Sequence, residues 1–154
     1  MIQLKEGMKA PVFEGIDQNG NKVKLGDFTG KKVVLYFYPK DDTPGCTAEA
    51  CNLRDNWDSI LKKGFVVVGV SPDNEKSHKG FAEKYSLPFS IIADTSKKIV
   101  NDYGVWGEKK MYGKTFLGVI RTTFIIDEKG VIEKVISKVD TGDHTKQIFE
   151  MYNK

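Results

Sequence analysis

The stretch Val33-Val34-Leu35-Tyr36-Phe37-Tyr38-Pro39-Lys40-Asp41-Asp42-Thr43-Pro44-Gly45-Cys46, followed five positions on by Cys51, decides the reading of this chain. Its first six residues form an apolar, aromatic and β-branched run, as does Phe65–Ser71. Runs of this kind mark strands covered on both faces. Between them a helix begins. Thr43 is a favourable N-cap, and Pro44 suits the first helical position, where its missing N–H would have no partner anyway. Leu53, Trp57, Ile60 and Leu61 then recur at about the 3.6-residue period until Lys62-Lys63-Gly64 supplies cations and a glycine stop. The pattern predicts a βαβ unit.

Cys46 falls at the third position of that helix. Its sulfur is expected near unpaired backbone N–H groups and the positive end of the helix dipole, both of which favour thiolate over thiol. Cys51 lies in the same helix, and five residues rotate about 500° and rise about 7.5 Å, separating the Cα atoms by roughly 8–9 Å. A disulfide needs Cα atoms within about 7 Å, so joining the two sulfurs requires the first turns to unwind. These are the only two cysteines of the chain, and in a reducing compartment such a pair points to catalysis or redox chemistry, not scaffolding. A thioredoxin-type oxidoreductase uses Cys-x-x-Cys, whereas four residues intervene here.

Outward from this unit, residues 12–16 and 22–25 flank Gln18-Asn19-Gly20, whose Asn-Gly pair signals a hairpin turn. A helix is expected over 74–85, a strand over Ser90–Ala93 and a short helix over 96–103. Thr122–Ile126 and 131–137 read as a hairpin around Asp127-Glu128-Lys129-Gly130, and 145–152 as a closing helix. Residues 104–120 lack a clean period and are expected to be a loop. The order argues for an α/β protein with a mixed sheet. One domain over residues 1–154 is expected from the length and the 40% apolar content, with Trp57, Phe65, Phe81, Trp106 and Phe124 in its core.

The formal charge of +3 arises from 24 basic and 21 acidic residues scattered along the chain, which counts against nucleic acid as a partner. The longest apolar runs are strand-sized and no apolar leader opens the chain, so a cytoplasmic protein without membrane contact is expected. No glycine-rich nucleotide motif occurs. His78 and His144 lie far from Cys46 and from each other in sequence, without zinc-ligand spacing, so neither metal nor cofactor is expected.

The residues Pro39-x-x-x-Thr43-x-x-Cys46, with Glu49 three positions further, resemble the active-site signature of the peroxiredoxins. The second cysteine five positions on resembles the peroxiredoxin Q group, also called bacterioferritin comigratory protein. Further segments are similar to that group: Gly7-Met8-Lys9-Ala10-Pro11-Val12-Phe13, Val70-Ser71-Pro72-Asp73, Ile92-Ala93-Asp94, Tyr103-Gly104-Val105-Trp106-Gly107 and Arg121-Thr122-Thr123-Phe124-Ile125-Ile126-Asp127.

The resemblance implies a thioredoxin-like fold with an added N-terminal β-hairpin, and a peroxidase that reduces hydrogen peroxide and organic hydroperoxides to water or alcohol. It implies that Cys46 attacks the peroxide and becomes a sulfenic acid, while the Thr43 hydroxyl and the N–H groups of Gly45 and Cys46 contact the peroxide. Arg121 would hold the sulfur anionic, Glu49 would orient Arg121, and Pro39 and Pro44 would shield the sulfur. Cys51 would resolve the sulfenic acid as an intramolecular disulfide, recycled by thioredoxin or a similar dithiol. A monomer is implied, because the group and this chain lack the C-terminal resolving cysteine of the obligate dimers. Taken singly, the same residues have plainer readings: Thr43-Pro44 as a helix start, Glu49 as first-turn decoration, Arg121 as a surface cation and Cys51 as an inert core thiol. For the whole chain the rival is a non-catalytic peroxide-sensing switch or holdase whose helix unwinds on oxidation.

Overall fold

The two continuous apolar runs become adjacent strands of the main sheet. The computed structural model describes residues 3–152. In it, β3 (Lys32–Phe37) pairs in parallel with β4 (Phe65–Ser71), from Lys32 opposite Phe65 to Phe37 opposite Val70. Between them lie α1 (Pro44–Asp55) and α2 (Trp57–Lys62). The chain continues through α3 (Glu75–Tyr85), β5 (Ser90–Ala93) and α4 (Lys98–Asp102), then a ribbon of β6 (Trp106–Met111) and β7 (Lys114–Val119). It ends with β8 (Thr122–Ile126), β9 (Ile132–Ile136) and α5 (His144–Glu150). The sheet order is β5-β4-β3-β8-β9, with β8 and β9 antiparallel to their neighbours. A separate antiparallel pair, β1 (Glu14–Ile16) and β2 (Lys22–Lys24), forms the N-terminal hairpin. A mixed sheet flanked by helices with an added N-terminal hairpin is the architecture that the resemblance implies.

Period-2 alternation sends the sheet's side chains into two apolar layers. Val33, Leu35 and Phe37 join Val68, Phe124 and Ile126 against α4 and the N-terminal segment. Val34, Tyr36 and Tyr38 join Val67, Ile91 and Ile125 beneath Leu53, Ile60, Phe81 and Ile148 of the other helices. Cys46 belongs to this second layer. Burying each such side chain fully stabilises the fold by about 1.5–3 kcal/mol.

The structure departs from the sequence reading at several points; the first strand and the short helix, for example, are shorter than expected, at Glu14–Ile16 and Lys98–Asp102. Residues 104–120 hold the β6–β7 ribbon and not a loop; its Tyr112-Gly113 turn has φ of +54° and +76°, as a type I′ hairpin requires. Both faces of this ribbon carry polar or exposed residues, so no apolar alternation announces it. The expected single helix breaks at Asn56 (φ −110°, ψ 17°), whose side chain donates to the Asn52 carbonyl at 2.8 Å in competition with the backbone ladder. Trp57 and Trp106 pack at the rim, only partly buried. The closing helix ends at Glu150, short of residue 152. Among the described residues no helix is long and apolar enough to cross a membrane.

Two features of this topology build a site. The β3–α1 turn opens at the C-terminal edge of the parallel strands, where α/β sheets bind ligands. The antiparallel register sets Phe37 opposite Thr122, so Arg121 enters β8 beside that turn.

Candidate active site

Residues 39–43 lead from β3 to Cys46. Thr43 has the extended backbone of an N-cap (φ −99°, ψ 156°), but no side chain caps α1. Its hydroxyl instead donates to the Lys40 carbonyl at 3.0 Å, which corrects the capping expectation. The first-turn N–H groups are thereby left for a polar or anionic group to use. Pro39 is half-buried and Pro44 exposed.

Cys46 is 1% exposed, and Arg121 Nη2 donates to its sulfur at 3.2 Å. The other arm of the fork, Nη1, donates to Glu49 Oε1 at 2.7 Å. Gly45 makes room for this arrangement, since a Cβ there would lie 3.3 Å from Arg121 Nη2. Burial works against the guanidinium charge, but Cys46 and Glu49 outweigh it and hold the Arg121 pKa above its ordinary value. Glu49 itself has no exposed surface. Burial pushes its pKa from 4.5 to about 7, against the opposing pull of Arg121. Cys51 lies on α1, half-buried and unbonded.

The sequence reading set both histidines apart from the site, yet each reaches it through a carboxylate. His144 Nε2 lies 3.6 Å from Glu49 Oε2. His78 Nδ1 lies 2.6 Å from Asp41 Oδ2, which also accepts from Ser77 Oγ at 2.7 Å, and Tyr38 donates to Asp41 Oδ1 at 2.6 Å. His78 Nε2 faces the Ile92 carbonyl at 3.0 Å. Its two ring nitrogens therefore bridge Asp41 to the Ile92 carbonyl of β5. This cluster ties the β3–α1 turn to α3. A signal existed for His78: with Phe81 and Ala82 it occupies the inward stripe of its helix. His144 likewise shares the buried face of α5 with Ile148.

The assembly offers a buried sulfur held by a guanidinium at a helix start, with a second thiol on the same helix. A guanidinium and a helix start are the kind of surroundings in which cysteine thiolates and nucleophiles are found. Residues 7–135 match the AhpC/TSA family model. The chain is 44% identical over 149 residues to the peroxiredoxin Bcp of Bacillus subtilis, covering 97% of this chain and 95% of that protein. It is 46% identical over 144 residues to the peroxiredoxin Bcp of Escherichia coli, covering 94% and 92%. It is also similar to the structure of the bacterioferritin comigratory protein of Xanthomonas campestris, with a TM-score of 0.87 at 30% identity over 96% of each chain. The chain therefore belongs to the AhpC/TSA family and, within it, to the Bcp group of peroxiredoxins, thiol-dependent peroxidases that reduce peroxide at the expense of a thiol reductant.

Proposed function

We propose that Cys46 is the peroxidatic nucleophile and that Cys51 resolves its sulfenic acid. The observation that carries this reading is the 3.2 Å contact from Arg121 to the Cys46 sulfur at the start of α1. The thiolate attacks one oxygen of hydrogen peroxide or an organic hydroperoxide; the S–O bond forms, the O–O bond breaks, and the other oxygen leaves as water or alcohol after taking a proton. The N–H groups of Gly45 and Cys46, together with Arg121, serve as the polarising donors, and the Thr43 hydroxyl, whose own proton goes to the Lys40 carbonyl, contacts the peroxide as an acceptor. Preorganised donors of this kind are worth about 3–4 kcal/mol each. Pro39 shields the sulfur, and Glu49 holds the far arm of Arg121.

Cys51 then attacks the sulfenic sulfur, water leaves, and a disulfide forms within one chain. The pair lies five positions apart on one helix, so the bond requires α1 to unwind. Thioredoxin or a similar dithiol restores both thiols by exchange. Because the cycle is complete within one chain, we read the enzyme as a monomer of one domain. A chain with two cysteines and no disulfide scaffold fits a reducing, cytoplasmic setting.

The test is turnover of peroxide with thioredoxin and, separately, with dithiothreitol. Cys46→Ser should lose both activities, whereas Cys51→Ser should lose only the thioredoxin-dependent one. Retained turnover in Cys46→Ser would sink the nucleophile assignment, and unchanged thioredoxin-dependent turnover in Cys51→Ser would sink the resolving role.

A further inference from the structure

Glu49 has one oxygen occupied and one without a partner. Oε1 accepts from Arg121, while Oε2 is buried with no hydrogen bond. A buried acceptor left in this state costs about 1–3 kcal/mol, and more if it is charged. Facing Oε2, beyond hydrogen-bond length at 3.6 Å, is Nε2 of His144, whose side chain is also fully buried. The opposite side of that ring is fixed. Gln147 donates through Nε2 to the Lys138 carbonyl at 2.7 Å and accepts at Oε1 from the Asp140 N–H at 2.9 Å. His144 Nδ1, 2.9 Å from the same Oε1, must therefore carry a proton. Nε2 is the side of the ring whose protonation is free to change. Thr123 Oγ1, 2.9 Å from Nε2, serves as donor or acceptor in either state.

We propose that Glu49 and His144 share one proton that balances the charge of Cys46: the pair keeps it while the sulfur is a thiolate and gives it up when the sulfur becomes neutral. Arg121 is hydrogen-bonded to both Cys46 and Glu49, so a thiolate and a bare carboxylate would leave one cation facing two buried anions. A proton on the pair brings that group to neutrality. When the thiolate is consumed, Arg121 is released to pair with the Glu49 carboxylate. The step balances: thiolate, protonated pair and hydroperoxide become sulfenic acid, deprotonated pair and alcohol, the proton ending on the leaving oxygen. Glu49 and His144 are thus positioning residues acting through Arg121. Burial raises Glu49 to about 7 and lowers His144, so near neutral pH the proton resides on the carboxyl side.

Other groups face this pair from the surrounding elements. Tyr36 of β3 places its own unpartnered hydroxyl in the same layer, and Asp140, ahead of α5, favours a charged His144. Lys109 of β6 senses both Arg121 and Cys46.

The inference rests on the peroxidase reading only for the peroxide step, and its test separates the two. Infrared difference spectra of the full chain, in a Cys51→Ser background near pH 7, compare the reduced protein with protein alkylated at Cys46 by iodoacetamide. Alkylation neutralises the sulfur without peroxide. A protonated-carboxyl C=O band should vanish on alkylation, should be absent from Glu49→Gln, and should weaken in His144→Leu, where the carboxyl gives up its proton more readily. No such band, or one that persists in Glu49→Gln, overturns the proposal.

In kinetics, His144→Leu should slow Cys46 alkylation at pH 7 by about 3- to 10-fold, because an unprotonated Glu49 competes with the thiolate for Arg121. The same substitution in a Glu49→Gln background should have no further effect, since the amide holds no proton to lose. An equal factor in both backgrounds means that His144 only packs, and overturns the proposal. One equivalent of peroxide should remove the same band; a band lost on alkylation but untouched by peroxide would sink the peroxidase reading and leave the proton pair standing.

Discussion

Two buried carboxylates flank the turn that delivers Cys46, and the fold satisfies them unequally. Asp41 accepts from Tyr38, Ser77 and His78, with both oxygens occupied. Burial alone would raise its pKa, but the hydrogen bonds from His78 and Tyr38 outweigh burial and hold it below its ordinary value. Glu49 has a single fork arm from Arg121 and an unpartnered second oxygen. Burial prevails there, and its pKa rises to about 7. The complete cluster anchors the turn to α3, while the incomplete one leaves a titratable group next to the Cys46 sulfur. An anchor needs closure; the charge change proposed for Glu49 needs an unused acceptor.

The comparison breaks most readily on stability. Asp41→Ala strands the buried His78 ring and the Tyr38 and Ser77 hydroxyls, and should cost about 3–5 kcal/mol in urea denaturation. Glu49→Gln keeps the Arg121 contact and supplies a neutral donor toward His144, so it should cost much less. Equal losses would erase the distinction between the two clusters.

Reactivity gives the next largest effect. Arg121→Ala removes the donor to Cys46 and should slow single-turnover oxidation by peroxide about 10²–10³-fold, far more than it weakens folding. A peroxide rate within a few fold of the parent would return Arg121 to the role of a surface cation.

The pH dependence of stability sharpens the contrast in sign. Glu49 binds its proton more tightly folded than unfolded, so its contribution is complete below about pH 4.5 and is lost as pH rises through about 7. The span corresponds to about 3 kcal/mol. Asp41 runs the other way: its contribution is complete above its ordinary value of 3.8 and is lost as pH falls through its lower folded value. Denaturation midpoints between pH 4.5 and 7.5 should show the Glu49 decline, and Glu49→Gln should abolish it. A decline that survives that substitution belongs to another group.

Much of this was legible in the sequence. The strands β3 and β4 announce themselves because both faces are buried, and Cys46 and Thr43 because a helix start has its own grammar. Arg121 and Glu49 were legible only through resemblance, since nothing local tells a strand-start arginine from a surface cation. His78 and His144 were missed as site neighbours because α3 and α5 bring them to the turn through tertiary packing. The β6–β7 ribbon was missed because it lacks a buried face to impose alternation. Asn56 was missed because side-chain competition for one carbonyl leaves the apolar period almost intact.

The smallest expected effect tests the space above the first turn. Gly45→Ala should add up to about 1 kcal/mol of helix stability, because alanine outranks glycine in a helix. It should also slow peroxide attack a few fold, since its Cβ would press the Arg121 guanidinium that now lies 3.3 Å away. A stabilised protein with an unchanged peroxide rate would show that the guanidinium can move aside without cost.

The contrast between a fixed anchor and a changeable reaction centre is tested most directly by hydrogen exchange on the reduced and disulfide forms. With Cys46 and Cys51 both on α1, the bond cannot close without unwinding, whereas the Asp41 cluster should stop the unwinding at the turn. On oxidation, amides from Thr47 to Arg54 should lose protection, while those of β3, β4 and the His78 turn of α3 keep theirs. A confirmed Cys46–Cys51 bond with 47–54 still fully protected, or loss of protection spreading into α3, would contradict the account.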